Sequence, residues 1–298
     1  MFHPGEIVDG RYVVREALGQ GNSGEVYRVT DRGTGARLVL KIQPARFFEN
    51  TTDYEYFGEG ILHEASIAQE LREVPRLILA RPGGDHVKRQ YLVMPDVDGR
   101  DLVAFSADEA PVSSERTAAI IAQLSNALGE LHSRGWIHRD VKAENALIAP
   151  DGRVWLIDLG SAVPRDVDAS PQGTPGYSAP EVLQGAPATA ASDIFSLGCL
   201  LFKLAIMGLP HDNTTGLPPV PGPPFPNRLE RSLEALAPGL RTVGLRMIEW
   251  DPANRPQTMG DVAAELVRLL PGPAVPPRRG RVPDPVLRYW LDRHQTAS

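Results

Sequence analysis

The sequence contains the octapeptide His138-Arg139-Asp140-Val141-Lys142-Ala143-Glu144-Asn145, and this stretch decides the fold. It places a carboxylate, an ammonium group and an amide in one short polar loop. The apolar run Ala146–Ile148 follows directly, and a second strand-like run, Val154–Ile157, ends at Asp158, thirteen residues after Asn145. Such an order and spacing of polar groups does not arise by chance.

Upstream of this stretch, the first third of the chain has the pattern of β-strands. Short runs rich in β-branched residues alternate with glycine-containing turns, and apolar residues at helical spacing predict one helix over Gly60–Leu71. Residues 1–95 are therefore expected to form a β-rich lobe with an antiparallel sheet. The predicted strands are Tyr12–Leu18, Glu25–Thr30, Ala36–Ile42, Arg76–Ala80 and Gln90–Met94.

Beyond the polar turn Asp96–Arg100, helices dominate. Ser113 or Ser114 is expected to cap a helix that extends to about Arg134. Residues 96–270 are therefore expected to form an α-rich lobe. The other predicted helices are Ser192–Met207, Leu240–Glu249, Thr258–Leu270 and Asp284–His294.

Two proline-rich segments accompany these helices. Leu217–Asn227 holds six prolines and predicts an extended surface loop. Residues 271–298 are expected to form a Pro/Arg-rich linker and a short C-terminal helix. Apolar side chains around Trp290 would dock that helix on the protein itself, which is the expected outcome, or on a partner.

Composition and charge limit the class of protein. The formal charge of the 298 residues is −6, which disfavours nucleic acid or an anionic membrane as the main partner. The single cysteine, Cys199, lies in an apolar run and predicts a buried thiol. No apolar stretch approaches the ~20 residues that cross a bilayer, so membrane insertion is not expected. The start lacks a secretory-signal pattern, and a cytoplasmic location is expected.

A glycine-rich segment, Gly19-Gln20-Gly21-Asn22-Ser23-Gly24, joins two predicted strands. Because both flanks are strands, it predicts a hairpin and not the strand-to-helix turn of a dinucleotide-binding fold. Glycines let the backbone approach phosphate oxygens and present N–H donors to them. Val26 follows where its side chain would cover a flat base. A hairpin without a ligand is the alternative interpretation of this segment alone.

Lys41 ends the apolar run Leu38–Leu40 in a chain that contains four lysines. A lysine that alternates into an apolar face requires a counter-charge, since an unpaired buried ammonium group is costly. Glu64 on the predicted helix is the favoured partner, and Glu59 and Glu70 are alternatives. Such a pair would hold Lys41 against the α- and β-phosphates of a nucleotide.

Together these segments resemble the protein-kinase family, and within it the eukaryotic-type (Hanks-type) serine/threonine kinases found in bacteria. The octapeptide is similar to the HRDxKxxN catalytic loop, and Asp158-Leu159-Gly160 is similar to the DFG metal motif. Gly173–Glu181, Asp193–Gly198 and Trp250–Pro256 extend the resemblance over about Arg11–Leu270. It implies an α+β, bilobal protein-kinase fold, with a β-rich N-lobe carrying one helix and an α-rich C-lobe.

The resemblance implies catalytic and metal-binding roles residue by residue. Asp140 would accept or orient the proton of the attacking hydroxyl, and Lys142 would neutralise charge on the transferred phosphoryl group. Asn145 and Asp158 would hold Mg²⁺, or Mn²⁺ in its place, through oxygen ligands. ATP is the implied phosphoryl donor. The implied catalytic residues are Lys41, Glu64, Asp140 and Lys142.

The same resemblance implies a nucleotide-binding set. Met94 would be the gatekeeper, and backbone groups of Pro95 and Val97 would meet the adenine edge. Leu147 would lie beneath the ring, and Val39, which replaces the usual alanine, would lie above it. The full set is Leu18, Gly19, Gln20, Gly21, Gly24, Val26, Val39, Lys41, Met94, Pro95, Val97 and Leu147.

Other family positions are expected to be structural. Asp193 would support the catalytic loop, and Arg255 would pair with Glu181. Leu159 replaces the phenylalanine of the metal motif, which changes packing more than chemistry.

The activation segment is implied to control activity. Arg139, next to Asp140, is typical of kinases whose activation segment is organised by phosphate, and Ser170 lies four residues before Thr174. Phosphate on Ser170 would pair with Arg139 and also with Arg165; an ordinary polar loop residue is the alternative interpretation of Ser170. Thr174 would hydrogen-bond toward Asp140 and Lys142.

Lys142 is typical of Ser/Thr-directed kinases. The implied function is transfer of the ATP γ-phosphoryl group to Ser/Thr hydroxyls of proteins, with autophosphorylation, and the sequence does not name the protein substrates. A small-molecule kinase is the first rival, but it would lack the Thr174–Glu181 loop and Arg255. A pseudokinase is the second rival, and it would lack at least one of Lys41, Asp140, Asn145 and Asp158.

Overall fold

The computed structural model describes residues 1–21, 24–45, 51–71, 74–167, 173–210, 225, 229–272 and 284–296, with backbone only at 51–59 and 294–296. The chain divides into two compact units. Unit 1 comprises Met1–Glu73, Ile78–Val97 and Asp158–Ser161. Unit 2 comprises Val74–Leu77, Asp98–Ile157 and Ala162–Ser298.

Unit 1 is built on a six-stranded antiparallel sheet, in which β-branched and aromatic side chains form the buried face. The strands are β1 (Ile7–Val8), β2 (Tyr12–Gly21), β3 (Gly24–Asp31), β4 (Arg37–Ile42), β5 (Arg81–His86) and β6 (Arg89–Pro95). Their order is β1-β2-β3-β4-β6-β5. Helix α1 (Thr51–Glu70) packs on β5 and β6, and begins nine residues before the predicted start at Gly60.

The predicted strand Arg76–Ala80 is wrong. The strand that pairs with β6 is β5, whose Pro-Gly-Gly sequence has the composition of a turn. Gly83 explains that composition, because a Cβ at this position would lie 2.3 Å from the ring of Tyr91. Pro82 is tolerated because β5 is the edge strand, where a missing N–H breaks no ladder.

Unit 2 is mainly helical. Its helices are α2 (Leu102–Glu109), α3 (Ser114–Ser133), α4 (Pro180–Leu183), α5 (Ala190–Ile206), α6 (Glu230–Glu234), α7 (Pro238–Met247), α8 (Met259–Val267) and α9 (Pro285–Thr296). Its short strands are β7 (Arg100–Asp101), β8 (Trp136–Ile137), β9 (Ala146–Ile148), β10 (Val154–Leu156) and β11 (Val163–Pro164). They form two small sheets, β10-β9-β7 and β11-β8, which place the octapeptide between β8 and β9.

Among the helices of unit 2, α3 and α5 contribute the largest numbers of buried apolar side chains. Ser113 caps α3 by accepting a hydrogen bond from the backbone N–H of Arg116, so the first of the two candidate serines is the cap. From Ser192 to Ile206, α5 is buried except at Lys203. Cys199 has no exposed surface, and burial raises the pKa of its thiol, as expected for a packing residue.

Both proline-rich segments fall largely outside the described residues. Of Leu217–Asn227, the structure describes Phe225, whose ring centroid lies 4.8 Å from that of Phe202 in α5. Residues 273–283 of the predicted linker are not described. In the part of the chain that is described, no helix has the length and apolarity needed to span a bilayer. The predicted α+β class, with a β-rich and an α-rich part, is confirmed.

Candidate active site

The glycine-rich segment is a β-hairpin, as the flanking strands predict. Residues 19–21 of β2 pair with 24–26 of β3, and Asn22 and Ser23 lie outside the described residues. At Gly24, φ is +147° and a Cβ would lie 3.1 Å from Cγ of Lys41, so glycine lets β3 pass close to that side chain. Among the described residues, no atom lies within 4 Å of a Cβ placed on Gly19.

Lys41 lies at the centre of a buried charged cluster in unit 1. Its Nζ donates to Oε2 of Glu64 at 2.7 Å and to Oδ1 of Asp158 at 3.0 Å. Glu64 is therefore the partner among the three carboxylates considered, while Glu70 is exposed at the end of α1. Burial alone would lower the pKa of Lys41, but the two carboxylates outweigh it and raise the pKa above its usual value.

The backbone around Asp158 is shaped for this cluster. Asp158 has a φ of +64°, in the left-handed region that Asp tolerates better than most residues. Gly160 donates its N–H to Oδ1 of Asp158 at 3.1 Å. A Cβ on Gly160 would lie 3.1 Å from that same oxygen and 3.6 Å from Oε2 of Glu64, so the glycine leaves the space that the carboxylates occupy.

The octapeptide of unit 2 holds a second polar cluster. Oδ1 of Asp140 accepts the hydroxyl hydrogen of Thr174 at 2.6 Å, and Nζ of Lys142 donates to that hydroxyl oxygen at 2.9 Å. Lys142 also pairs with Oδ2 of Asp140 at 2.7 Å. Nδ2 of Asn145 donates to Oδ2 and to the carbonyl of Asp140, both at 2.9 Å. With this nitrogen engaged, Oδ1 of Asn145 is the amide atom that a cation would meet.

Asp193 of α5 holds the backbone of the octapeptide, as predicted. It is fully buried and accepts the backbone N–H groups of His138 at 2.8 Å and Arg139 at 2.9 Å. These bonds hold Arg139 at a φ of +67°, a conformation that costs a non-glycine residue about 1–3 kcal/mol. Burial alone would raise the pKa of Asp193, but the hydrogen bond from His132 and the backbone donors hold the pKa below its ordinary value.

Glu181 and Arg255 form the predicted pair, with two parallel contacts of 2.8 Å. Arg255 is buried and also donates to three backbone carbonyls, those of Glu249, Trp250 and Ala191. The pair links the segment that follows Thr174 to the loop that precedes α8.

Three polar contributors were not predicted. His132, on the buried face of α3, contacts Asp193 at 2.8 Å. Its position four residues after the apolar Leu128 is the sequence signal that places it on that buried face. Glu25 is buried in β3, where it shares a face with Tyr27, and its carboxylate accepts from Arg89 at 2.8 Å. A charged residue in phase with the apolar face of a strand is the sequence signal for such a buried pair.

The remaining predicted nucleotide residues are placed on two separate units. Leu18, Gly19, Gln20, Gly21, Gly24, Val26, Val39, Lys41, Met94, Pro95 and Val97 belong to unit 1, and Leu147 belongs to β9 of unit 2. In the sheet, Val39 is opposite Met94 and Leu38 is opposite Pro95. Ser170 lies outside the described residues. Both clusters fit the implied ligands in donor chemistry, because Asn145 and Asp158 offer the oxygen donors that Mg²⁺ prefers.

Comparison with known proteins agrees with this geometry. The family described as "Protein kinase domain" matches residues 12–219. The chain is 30% identical over 223 residues to the probable serine/threonine-protein kinase PknB of Lactococcus lactis, covering 73% of this chain and 35% of that protein. It is 32% identical over 215 residues to serine/threonine-protein kinase PknH of Mycobacterium tuberculosis, covering 70% of this chain and 32% of PknH.

A solved structure is also similar. The crystal structure of the PknI kinase domain of Mycobacterium tuberculosis matches with a TM-score of 0.66 and 25% identity, covering 90% of this chain and 98% of that one. The chain spans about a third of the length of the curated relatives PknB and PknH. The match over residues 12–219 is more than half of the chain, and with the two clusters described above it shows that this chain belongs to the protein kinase domain family.

Proposed function

We propose that the chain is a serine/threonine protein kinase that transfers the γ-phosphoryl group of ATP to protein hydroxyls with Mg²⁺. The observation that carries this proposal is the hydroxyl of Thr174, held between Oδ1 of Asp140 and Nζ of Lys142 at 2.6 and 2.9 Å. The octapeptide therefore already binds a hydroxyl oxygen between a carboxylate and an ammonium group, which is the chemistry that an acceptor hydroxyl requires.

Each residue has a defined part in the proposed reaction. Asp140 orients the acceptor hydroxyl and accepts its proton, and Lys142 stabilises negative charge on the transferred group. Lys41, held by Glu64, binds phosphate oxygens beside the glycine-rich hairpin. Bound Mg²⁺, held by Asn145 and Asp158, would neutralise phosphate charge.

Transfer of radiolabelled phosphate from ATP to a generic protein substrate tests this proposal. We expect Asp140→Asn to lower the rate by about 10²–10³-fold or more, because the variant removes the base that orients the hydroxyl. Asp108→Asn is the matched control, since Asp108 is 68% exposed on α2 and pairs with Arg100 at the surface. Equal rates for wild type, Asp140→Asn and Asp108→Asn would contradict the proposal.

Specificity and autophosphorylation are part of the same proposal. The contact of Lys142 with both Asp140 and Thr174 supports Ser/Thr acceptors, and phosphoamino-acid analysis that finds mainly phosphotyrosine would contradict it. We place autophosphorylation on Ser170, because the hydroxyl of Thr174 is engaged by Asp140. Mass spectrometry after incubation with ATP and Mg²⁺ tests this, and absence of phosphate from Ser161, Ser170 and Thr174 excludes it.

The extent of the parts is proposed as well. We assign residues 1–95 to an N-lobe, 96–270 to a C-lobe and 271–298 to a linker with a terminal helix. Adenine binding is assigned to Val39, Met94, Pro95, Val97 and Leu147. Docking of the terminal helix on the same chain is supported by the hydrogen bond between Trp290 Nε1 and the carbonyl of Pro271, 2.9 Å long.

A further inference from the structure

Helix α9 is attached to the interior of unit 2 by an interface that the proposed chemistry does not use. On α9 and its N-terminal cap, this α9 interface comprises Asp284, Pro285, Tyr289 and Asp292; on the remainder of unit 2 it comprises Arg76, Gln123 and Gly152. The side chain of Tyr289 is 4% exposed, so α9 packs against unit 2 through a buried side chain. At Gly152, a Cβ would lie 2.2 Å from the carbonyl oxygen of Asp284, which means that α9 approaches the backbone where only glycine fits.

Gln123 of α3 joins four segments at this interface. Its side chain is fully buried. Its Oε1 accepts from the backbone N–H of Val154 at 3.0 Å and from Nη1 of Arg76 at 2.6 Å. Its Nε2 donates to the carbonyls of Gly152 and Pro285, both at 3.2 Å. The amide thus uses both acceptor sites and both donor hydrogens, and α9 supplies one of the four partners.

Arg76 forms an ion pair with a residue of α9. Its side chain is 13% exposed, and its guanidinium forms an ion pair with the carboxylate of Asp292. A buried guanidinium without a carboxylate is costly, so this pair helps to hold Arg76 in place. Arg76 also has a φ of +66°, a strained conformation that needs support from its surroundings.

The position of Arg76 in the chain connects the interface to the proposed chemistry. Arg76 comes six residues after Glu70, the last residue of α1, and α1 carries Glu64. Its carbonyl accepts the N–H of Leu156 at 2.9 Å, and Leu156 comes two residues before Asp158. Glu64 and Asp158 are the two carboxylates that hold Lys41.

We propose that α9 is a positioning element for phosphoryl transfer: through Asp292, Arg76 and Gln123, it holds the connection that follows α1 and the strand that leads to Asp158. The proposal rests on the proposed kinase function. A helix that only added stability would leave the rate of transfer and the hydrogen bond of Leu156 unchanged at temperatures where the protein is folded.

The first test places the same charge at neighbouring positions of α9 in the full chain. Asp292→Lys sets a second cation against Arg76, whereas Leu291→Lys changes a side chain that is 45% exposed on the same helix. We expect Asp292→Lys to lower kcat/KM for ATP about 10-fold at a temperature where both variants are folded, since small misplacements of reacting groups cost up to ~10²-fold. Leu291→Lys is expected to stay within about twofold, because surface changes are nearly neutral.

Hydrogen exchange of the Leu156 amide gives a readout that needs no activity. We expect exchange to be about 10-fold faster in Asp292→Lys than in wild type or Leu291→Lys, because the variant releases the carbonyl of Arg76 through local opening. A lower melting temperature with unchanged kcat/KM and unchanged Leu156 exchange would overturn the proposal. The exchange measurement uses protein without ATP. An inactive wild type would therefore contradict the kinase proposal, while the exchange comparison would still show whether α9 holds the hydrogen bond of Leu156.

A second pair of variants covers the case in which Asp292→Lys does not fold. Gly152 and Gly35 have similar backbone angles, with φ of +80° and +73°, so alanine is strained equally at both. At Gly152 the added Cβ meets Asp284, whereas at Gly35 no atom of the described part of the chain lies within 4 Å. Faster Leu156 exchange and lower kcat/KM in Gly152→Ala alone would support the proposal, and equal behaviour of the two variants would overturn it.

Discussion

The cluster around Lys41 and the cluster around Arg255 both centre on a buried cation, but they differ in how completely that cation is balanced by its partners. Lys41 holds two carboxylates with one ammonium group, and the side chain of Asp158 remains 27% exposed. Arg255 faces a single carboxylate, that of Glu181, and its five N–H groups are engaged by that carboxylate and three backbone carbonyls. The first cluster has a surplus of negative charge that a cation would balance, and the second has no capacity left.

This difference separates a reacting site from a structural one. A carboxylate near the protein surface whose charge is not fully neutralised by the protein is typical of positions that bind metal ions or charged substrates. A fully used guanidinium restrains two segments of the chain and offers nothing to a ligand. Variants of the two clusters should therefore affect different properties.

The largest expected effect is on activity, in Lys41→Met. We expect phosphoryl transfer to fall by about 10²–10³-fold, because the cation that meets the phosphates is lost. The fold should persist, since burial and the nearby Asp158 already raise the pKa of Glu64, which would take up a proton in place of its partner. Radiolabelled transfer and urea unfolding measure the two properties.

Lys88→Met is the matched control for this variant, because Lys88 is exposed in the β5–β6 turn. It should leave both the rate and the unfolding midpoint close to wild type. A rate for Lys41→Met equal to that of Lys88→Met would remove the distinction between the clusters.

The second effect is on stability, in Arg255→Met. We expect a loss of about 3–5 kcal/mol in the free energy of unfolding, because Glu181 and three carbonyls lose their donor. Arg246→Met is the control, since its pair with Glu265 is at the surface, with Arg246 46% exposed, and should cost about 0–1 kcal/mol. Urea unfolding measures both, and equal losses would show that burial of the Arg255 pair is not what matters.

A third prediction concerns the Glu25–Arg89 pair, which lies beside the glycine-rich hairpin. Like the Arg255 pair, it is a buried structural ion pair. Glu25 accepts from Arg89, Tyr27 and the N–H of Ala45, at 2.7 to 2.9 Å. We expect Glu25→Gln to cost about 2–3 kcal/mol in the free energy of unfolding, since charged hydrogen bonds are lost in the core.

The control for Glu25→Gln is Glu16→Gln on the neighbouring strand, because Glu16 is 52% exposed beside Arg28. If thermal or urea unfolding shows no difference between the two variants, the Glu25–Arg89 pair does not stabilise the fold in the way that the Arg255 pair is expected to.

The smallest expected effect is a pH-dependent one at Asp193. Its pKa is lowered in the folded protein, so its contribution to stability is present above the unfolded value of ~3.9 and is lost as the pH falls through the folded value. We expect Asp193→Asn to cost about 1–2 kcal/mol at neutral pH, because buried donors lose a charged acceptor. Urea unfolding from pH 7 down to acid should show the two proteins converge below about pH 4; a constant difference would assign the cost to packing.

The site was more predictable from sequence than the elements around it. Asp140, Lys142, Asn145 and Thr174 are brought together by a local loop and one nearby segment, and their residue types already indicate how they interact. Strand β5 was not predictable, because Gly83 is needed only on account of the Tyr91 ring, which the local sequence does not place. The buried Glu25 was missed for the same reason, since its partner Arg89 lies on a strand that is 64 residues away in the chain.

The amino-acid sequence by itself determined the α+β class, the two polar segments and the residue types that carry their chemistry, because strand and helix periodicity and short loops are local properties. Only the tertiary structure decided which distant groups become partners: it selected Glu64 from the three candidates for Lys41, and it supplied His132 for Asp193 and Asp292 for Arg76. Burial makes an unpaired charge costly, and which distant residue supplies the counter-charge depends on how the elements pack.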